Sequence, residues 1–242
     1  MNLSVAQASQ ERALDGHVVL VTGAHGGLGS AVSFACARAG ATVVLLGRRL
    51  PKLNRLYDTL VREGPAPILY PMDLEGAAPQ DHADLASRVE AEFGRLDALV
   101  HTAAQFDGLT PLLHADPASI ARALHVNLTA PVWLTQACLP LLQRTGGSIV
   151  WPIDTLPGTA PAYWGGYGLA HAGRVSAVAQ LRAELANTRV QVIEIEPGPM
   201  RTALRSRAYV EGEDRNARDP EIVAGTIIDL MAHAAQKRGP VS

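Results

Sequence analysis

The chain has 242 residues, 48% of them hydrophobic and 18% charged, and a formal net charge of −2. That is long and apolar enough for one large domain with a sizeable core. The near-neutral balance points away from nucleic acid and from an anionic membrane as partners. No apolar run approaches the ~18 residues of a spanning helix. The opening stretch MNLSVAQASQERALDG lacks a signal-peptide apolar centre, so the expected compartment is the cytoplasm.

Residues 1–15 read as a loose polar arm. HVVLVTG (17–23) is a short β-branched run closed by glycine, the pattern of a buried strand. GLGSAVSFACARAG follows with helical periodicity and ends on Gly40. TVVLLG (42–47) is a second strand, 51–63 a helix, 67–70 a short strand and 80–93 a helix. LDALVHTA (96–103) is a strand, and 117–144 is a long helical segment bent at Pro131. GSIVW (147–151) is a strand, 162–187 a long helix, RVQVIEIEPG (189–198) a strand with its exit turn, and 220–235 a last helix. Strands alternating with helices imply βαβ units. The expected fold is therefore α/β: a three-layer Rossmann fold, a doubly wound parallel sheet of six to seven strands with helices on both faces. Residues 1–242 are expected to form a single domain. The charged stretch 203–219 reads as a flap, because it leaves the C-terminal end of a strand, where open α/β sheets bind ligands. Cys36 and Cys138 lie far apart in helical patterns and read as buried free thiols. The histidines show no metal-ligand spacing, so no metal is expected.

TGAHGGLG (22–29) joins the first strand to the first helix. Gly23, Gly27 and Gly29 allow a tight turn and close approach to a pyrophosphate, and the helix N-terminus supplies N–H groups and a positive dipole end. This placement, together with Asp73 in MDLE, VHTAA, Asn127 in HVNLTAP, Tyr167, and EPGPMRT (196–202), resembles the short-chain dehydrogenase/reductase family from about residue 15 to 203. The resemblance implies a nicotinamide dinucleotide held by Gly23, His25, Gly27, Leu28, Gly29, Arg48, Asp73, Leu74, Thr102, Ala103, Pro197, Gly198 and Thr202. It also implies hydride transfer between that nucleotide and an alcohol or carbonyl. After the second strand the chain carries LLGRRL, with no acidic residue for a ribose diol. Arg48, with Arg49, suits a 2′-phosphate, so NADP(H) is expected ahead of NAD(H).

At the reacting end the resemblance implies a proton-transferring tyrosine, a lysine four residues on, a serine thirteen residues before and an asparagine on the preceding long helix. Tyr167 and Asn127 match. His171 stands at the lysine position and Asp154 at the serine position, with Thr155 adjacent. A neutral histidine would promote tyrosine ionisation less than a lysine, and a carboxylate would oppose it. Carbonyl reduction, which needs neutral tyrosine, is therefore favoured over alcohol oxidation. An Asp154–His171 ion pair would restore part of the missing charge. Trp151, Tyr163 and Trp164 are candidates either for a pocket wall or for the core. The expected partners are a small carbonyl or alcohol substrate and a second copy of the chain, as a homodimer or a tetramer. The alternative is an inactive dinucleotide-binding protein of the same fold, acting as a sensor or partner.

Overall fold

The structure is a computed structural model and describes residues 12–155, 162–209 and 217–237. Six strands form one parallel sheet: β1 (Val18–Thr22), β2 (Thr42–Gly47), β3 (Ile68–Pro71), β4 (Ala98–His101), β5 (Ser148–Pro152) and β6 (Gln191–Ile195), in the order β3-β2-β1-β4-β5-β6. Among the described residues seven α-helices accompany them: α1 (Gly27–Arg38), α2 (Leu50–Leu60), α3 (Pro79–Phe93), α4 (Pro117–Leu124), α5 (Ala130–Thr145), α6 (Gly165–Glu184) and α7 (Pro220–Gln236).

β1 and β2 are apolar on both faces because helices cover both. Val19, Val21, Val43 and Leu45 point into one core with Val32, Ile227 and Met231 of α1 and α7. Their alternates Val18, Leu20, Val44 and Leu46 point into the other, with Leu85, Leu134 and Val178 of α3, α5 and α6. At the sheet's N-terminal edge the buried Asp97 carboxylate accepts from Val18 N–H at 2.9 Å and from Arg95 Nε at 2.9 Å and Nη2 at 2.8 Å, tying β1 to the start of β4. Register places Thr22 opposite both Leu46 and His101, so the C-terminal ends of β1, β2 and β4 line up. Strand order reverses between β1 and β4, and a crevice opens there.

Two expectations change. The arm is not loose in its last residues: Leu14 is buried in the α1 core and its N–H donates to Ala39 O at 2.9 Å; residues 1–11 lie outside the described chain. The segment 117–144 is interrupted ahead of Pro131, by a π-helical turn over His125–Thr129 between α4 and α5, and Pro131 falls in the first turn of α5. A proline there costs no bond within its own helix, but it has no N–H to offer the Asn127 carbonyl four residues back. The described residues carry six strands, within the expected six to seven. Both thiols are free and buried.

Candidate active site

A cleft of ≈ 420 Å³ runs along the C-terminal ends of the strands, within the size range of ligand pockets. Its nucleotide end is built by the β1–α1 turn. Gly23 has φ +60°, and a Cβ there would lie 2.7 Å from the Ala103 Cα. Only glycine lets β1 and β4 approach this closely. Gly29 is equally constrained, since a Cβ on it would run into the Gly23 carbonyl and come within 2.7 Å of Thr102 Oγ1. Thr102 donates its hydroxyl to the Thr22 carbonyl, and Ala103 N–H donates to Thr22 Oγ1 at 3.1 Å. Thr102 and Ala103 thus latch the two strand ends together. Gly26 stands at the N-cap of α1 with no side chain to cap the first-turn N–H groups, which leaves them available to an anion.

Among the expected nucleotide residues, Gly23, His25, Gly27, Leu28, Arg48, Asp73, Leu74, Thr102, Ala103, Pro197, Gly198 and Thr202 line this cleft, whereas Gly29 lies behind the turn. His25 Nδ1 is buried without a partner, facing Gly47, where a Cβ would sit 2.6 Å from it. Burial, then the charges of Lys52, Arg49 and Arg48, push the His25 imidazole pKa down. Four nitrogen-bearing side chains therefore share one corner at the end of β2, which suits an added phosphate. Arg48 is half exposed there, its Nη1 3.8 Å from both the Asp73 and the Glu75 carboxylates. Asp73 also accepts from Glu75 N–H at 3.2 Å, closing a turn.

At the other end, Tyr167 comes from the first turns of α6 and is 5% exposed. Its hydroxyl donates to Asp154 Oδ2 at 3.2 Å, a loose bond of the kind that tightens when substrate arrives. Burial, and next the Asp154 charge, push the Tyr167 phenol well above its ordinary pKa, against an opposing pull from Arg174. Burial also raises the Asp154 carboxyl pKa. Phe106 and Trp164 pack on the Tyr167 ring with centroids at 5.1 and 5.9 Å, so Trp164 is pocket wall while Trp151 is fully buried core. Thr155 does not take the place of a serine: its hydroxyl donates to Glu196.

His171 does not form an ion pair with Asp154. The Asp154 backbone N–H donates to His171 Nδ1 at 3.1 Å, which fixes that nitrogen as an acceptor and the ring as neutral. Burial, and then the Arg174 charge, lower its pKa to about 3. The ring lies under Tyr167 with centroids at 4.3 Å, behind the cleft surface rather than on it. Asn127 is likewise behind the wall. Its Oδ1 accepts from Gln105 N–H and its Nδ2 donates to Gln105 O, both at 2.7 Å, so its side chain pins the loop after β4.

Arg174, which sequence reasoning passed over, is 2% exposed and lines the cleft beside Tyr167. The available signal was its spacing: seven residues after Tyr167, two helical turns on the same face. Gln105 and Phe106 were also missed, since nothing in their local pattern marks a loop folding back onto a tyrosine. The conjunction of glycine turn, strand-end latch and buried tyrosine decides the family. A profile of the short chain dehydrogenase family matches residues 17–211.

The chain belongs to the short chain dehydrogenase family.

Similar family members include YciK of Escherichia coli, described as an uncharacterized oxidoreductase, 30% identical over 227 residues that cover 93% of this chain and 90% of that one. A solved structure from Pseudomonas syringae, described as that of a short chain dehydrogenase, is 38% identical with a TM-score of 0.87, covering 91% of both chains. Another, from Shigella flexneri and complexed with NADP, is 30% identical with a TM-score of 0.87, covering 91% of this chain and 93% of that one. Among the described residues no helix is long and apolar enough to cross a membrane.

Proposed function

We propose that this protein is an NADP(H)-dependent oxidoreductase that runs toward carbonyl reduction, with Tyr167 as the proton donor. The observation that carries the reading is the Tyr167–Asp154 hydrogen bond inside the cleft. It holds the phenol in its protonated form, the form that can give a proton to a carbonyl oxygen and cannot take one from an alcohol. The bound reduced nicotinamide supplies a hydride to the carbonyl carbon. Tyr167 supplies the proton to the oxygen and then regains one from solvent, and the neighbouring Asp154 carboxylate, which accepts from its hydroxyl, favours that reprotonation. Phe106 and Trp164 exclude water from the phenol and offer an apolar wall to the substrate.

The preference for NADP(H) rests on the basic corner of His25, Arg48, Arg49 and Lys52, and on the absence of a carboxylate at the end of β2. The NADP complex of the Shigella flexneri relative supports it. Residues 203–209 line the cleft mouth with Leu204, Arg205, Arg207 and Tyr209, as a flap would; residues 210–216 of that segment lie outside the described chain. We further propose a single working domain that pairs with a second copy through α4, α5 and α6.

The test is fluorescence titration with NADPH and NADH, followed by turnover over a carbonyl panel with wild type and Tyr167→Phe. NADPH should bind about tenfold or more tightly than NADH. Tyr167→Phe should leave NADPH affinity intact and lower the reduction rate by about 10²-fold or more. Equal affinities would overturn the cofactor assignment. Unchanged reduction by Tyr167→Phe would overturn the role of Tyr167, and no turnover by a wild type that binds NADPH would favour the sensor or partner reading.

A further inference from the structure

The buried face of α6 carries Tyr167, Ala170, His171, Arg174 and Val178. One of these is a cation, and its surroundings are neutral. Arg174 Nε donates to Asn127 O at 2.5 Å, Nη1 to Pro152 O at 2.9 Å, and Nη2 to Ala103 O at 3.4 Å. The three carbonyls come from the π-helical turn, the last residue of β5 and the stretch just after β4. The Asn127 carbonyl is the one that Pro131 leaves without a helical N–H, and the other two lie at the C-terminal ends of β5 and β4. Among the described residues no carboxylate lies within ion-pair distance of the guanidinium.

A buried cation without a counter-ion is costly, and bracing three loops does not by itself require a charge. Burial lowers the Arg174 pKa, yet a guanidinium stays charged across the working pH range. Tyr167 and Arg174 share the buried face of α6 and line the same cleft, and the atom there that becomes negative during turnover is the Tyr167 oxygen, at the moment it loses its proton. The other groups that face Tyr167 cannot take this part: Asp154 is acidic and His171 is neutral. Arg174 opposes the rise in the Tyr167 pKa that burial and Asp154 cause.

We propose that Arg174, seated on the Asn127, Pro152 and Ala103 carbonyls, is the positioning residue that holds positive charge beside Tyr167 and stabilises its oxygen as it gives up the proton. This rests on the reading of Tyr167 as the proton donor. The balance is simple. A hydride passes from the reduced nicotinamide to the carbonyl carbon, the Tyr167 O–H bond breaks and its proton goes to the carbonyl oxygen, and the phenolate left behind faces the guanidinium until it is reprotonated.

The experiment labels the protein with 3-fluorotyrosine, whose lower intrinsic pKa brings the titration into reach, and follows Tyr167 by fluorine NMR against pH without cofactor or substrate. Tyr167→Phe assigns the resonance. Arg174→Gln should raise the Tyr167 midpoint by at least one pH unit, a tenfold change in its ionisation equilibrium, while Arg174→Lys leaves it nearly unmoved. Where Arg174→Gln does not fold, Arg174→Ala with guanidinium ion filling the space should titrate like wild type, and removing the ion should move the midpoint up. On a turned-over carbonyl, Arg174→Gln should lower kcat about 10- to 10²-fold with little change in KM, and should cost nothing further in a Tyr167→Phe background. An unmoved midpoint, or equal losses in both backgrounds, would make Arg174 a structural brace and overturn the proposal. If the midpoint moves and no carbonyl is ever reduced, the proposed function fails while the electrostatic coupling stands.

Discussion

His171 offers a prediction that can be worked through from the structure. The ring is 5% exposed, accepts from the Asp154 N–H, and has a pKa of about 3 against 6.5 for an ordinary histidine. Below about pH 6.5 the unfolded chain takes up a proton at this residue that the folded chain does not. Its contribution to stability is therefore complete above pH 6.5 and is lost as pH falls toward 3. Between pH 7.5 and 5 the loss amounts to about 2 kcal/mol, from 1.5 pH units at ~1.4 kcal/mol each. His171→Asn keeps an acceptor near Nδ1 and removes the titration. His82 and His101 are also buried, with lowered pKa values, but they are common to both proteins and cancel in the difference. Urea unfolding of wild type and His171→Asn from pH 7.5 to 5 should show wild type losing an additional ~1 M in midpoint at an m-value of ~2 kcal/mol/M. A wild type that gains on the variant toward acid would mean a cationic His171, and the neutral-ring assignment would be wrong.

Gly23→Ala should cost roughly 2–4 kcal/mol by thermal or urea unfolding, since the left-handed φ and the 2.7 Å approach to Ala103 are both violated, and NADPH binding should be lost with it. Arg48→Asp should weaken NADPH by about 2 kcal/mol, roughly 30-fold, and NADH much less, as read by fluorescence titration. Asp154→Ser should lower the pH at which alcohol oxidation sets in, because the carboxylate that holds Tyr167 protonated is gone. Combining it with His171→Lys should help oxidation by more than the two single changes together, since both residues touch the same tyrosine.

Strand-by-strand alternation made the fold readable from the chain. Val18–Thr22 and Thr42–Gly47 are buried on both faces and bounded by glycine, and such runs alternating with helices make a helix-covered parallel sheet. The phosphate-binding turn was equally legible, because Gly23 and Gly29 answer to local backbone geometry. The reacting end was less so. Spacing put Asp154 and His171 beside Tyr167, but it could not say that Asp154 would turn its carboxylate to the phenol and its backbone N–H to the imidazole. Arg174 escaped notice because its place depends on three carbonyls distant in sequence, one of them freed by the chemistry of Pro131. The bend in 117–144 was anticipated at that proline, but the helix yields just before it, in the π turn that carries Asn127.

The central claim is that Tyr167 acts as a protonated acid, and the pH dependence of the two reaction directions tests it most directly. For one carbonyl–alcohol pair, NADPH-dependent reduction and NADP-dependent oxidation are to be followed from pH 6 to 10, in wild type and Tyr167→Phe. The account predicts measurable reduction throughout the neutral range, lost in Tyr167→Phe, and oxidation that is undetectable or very slow near pH 7 and rises only in strong base. Oxidation by wild type at an ordinary enzyme rate of about 1 s⁻¹ or more at pH 7 would contradict it.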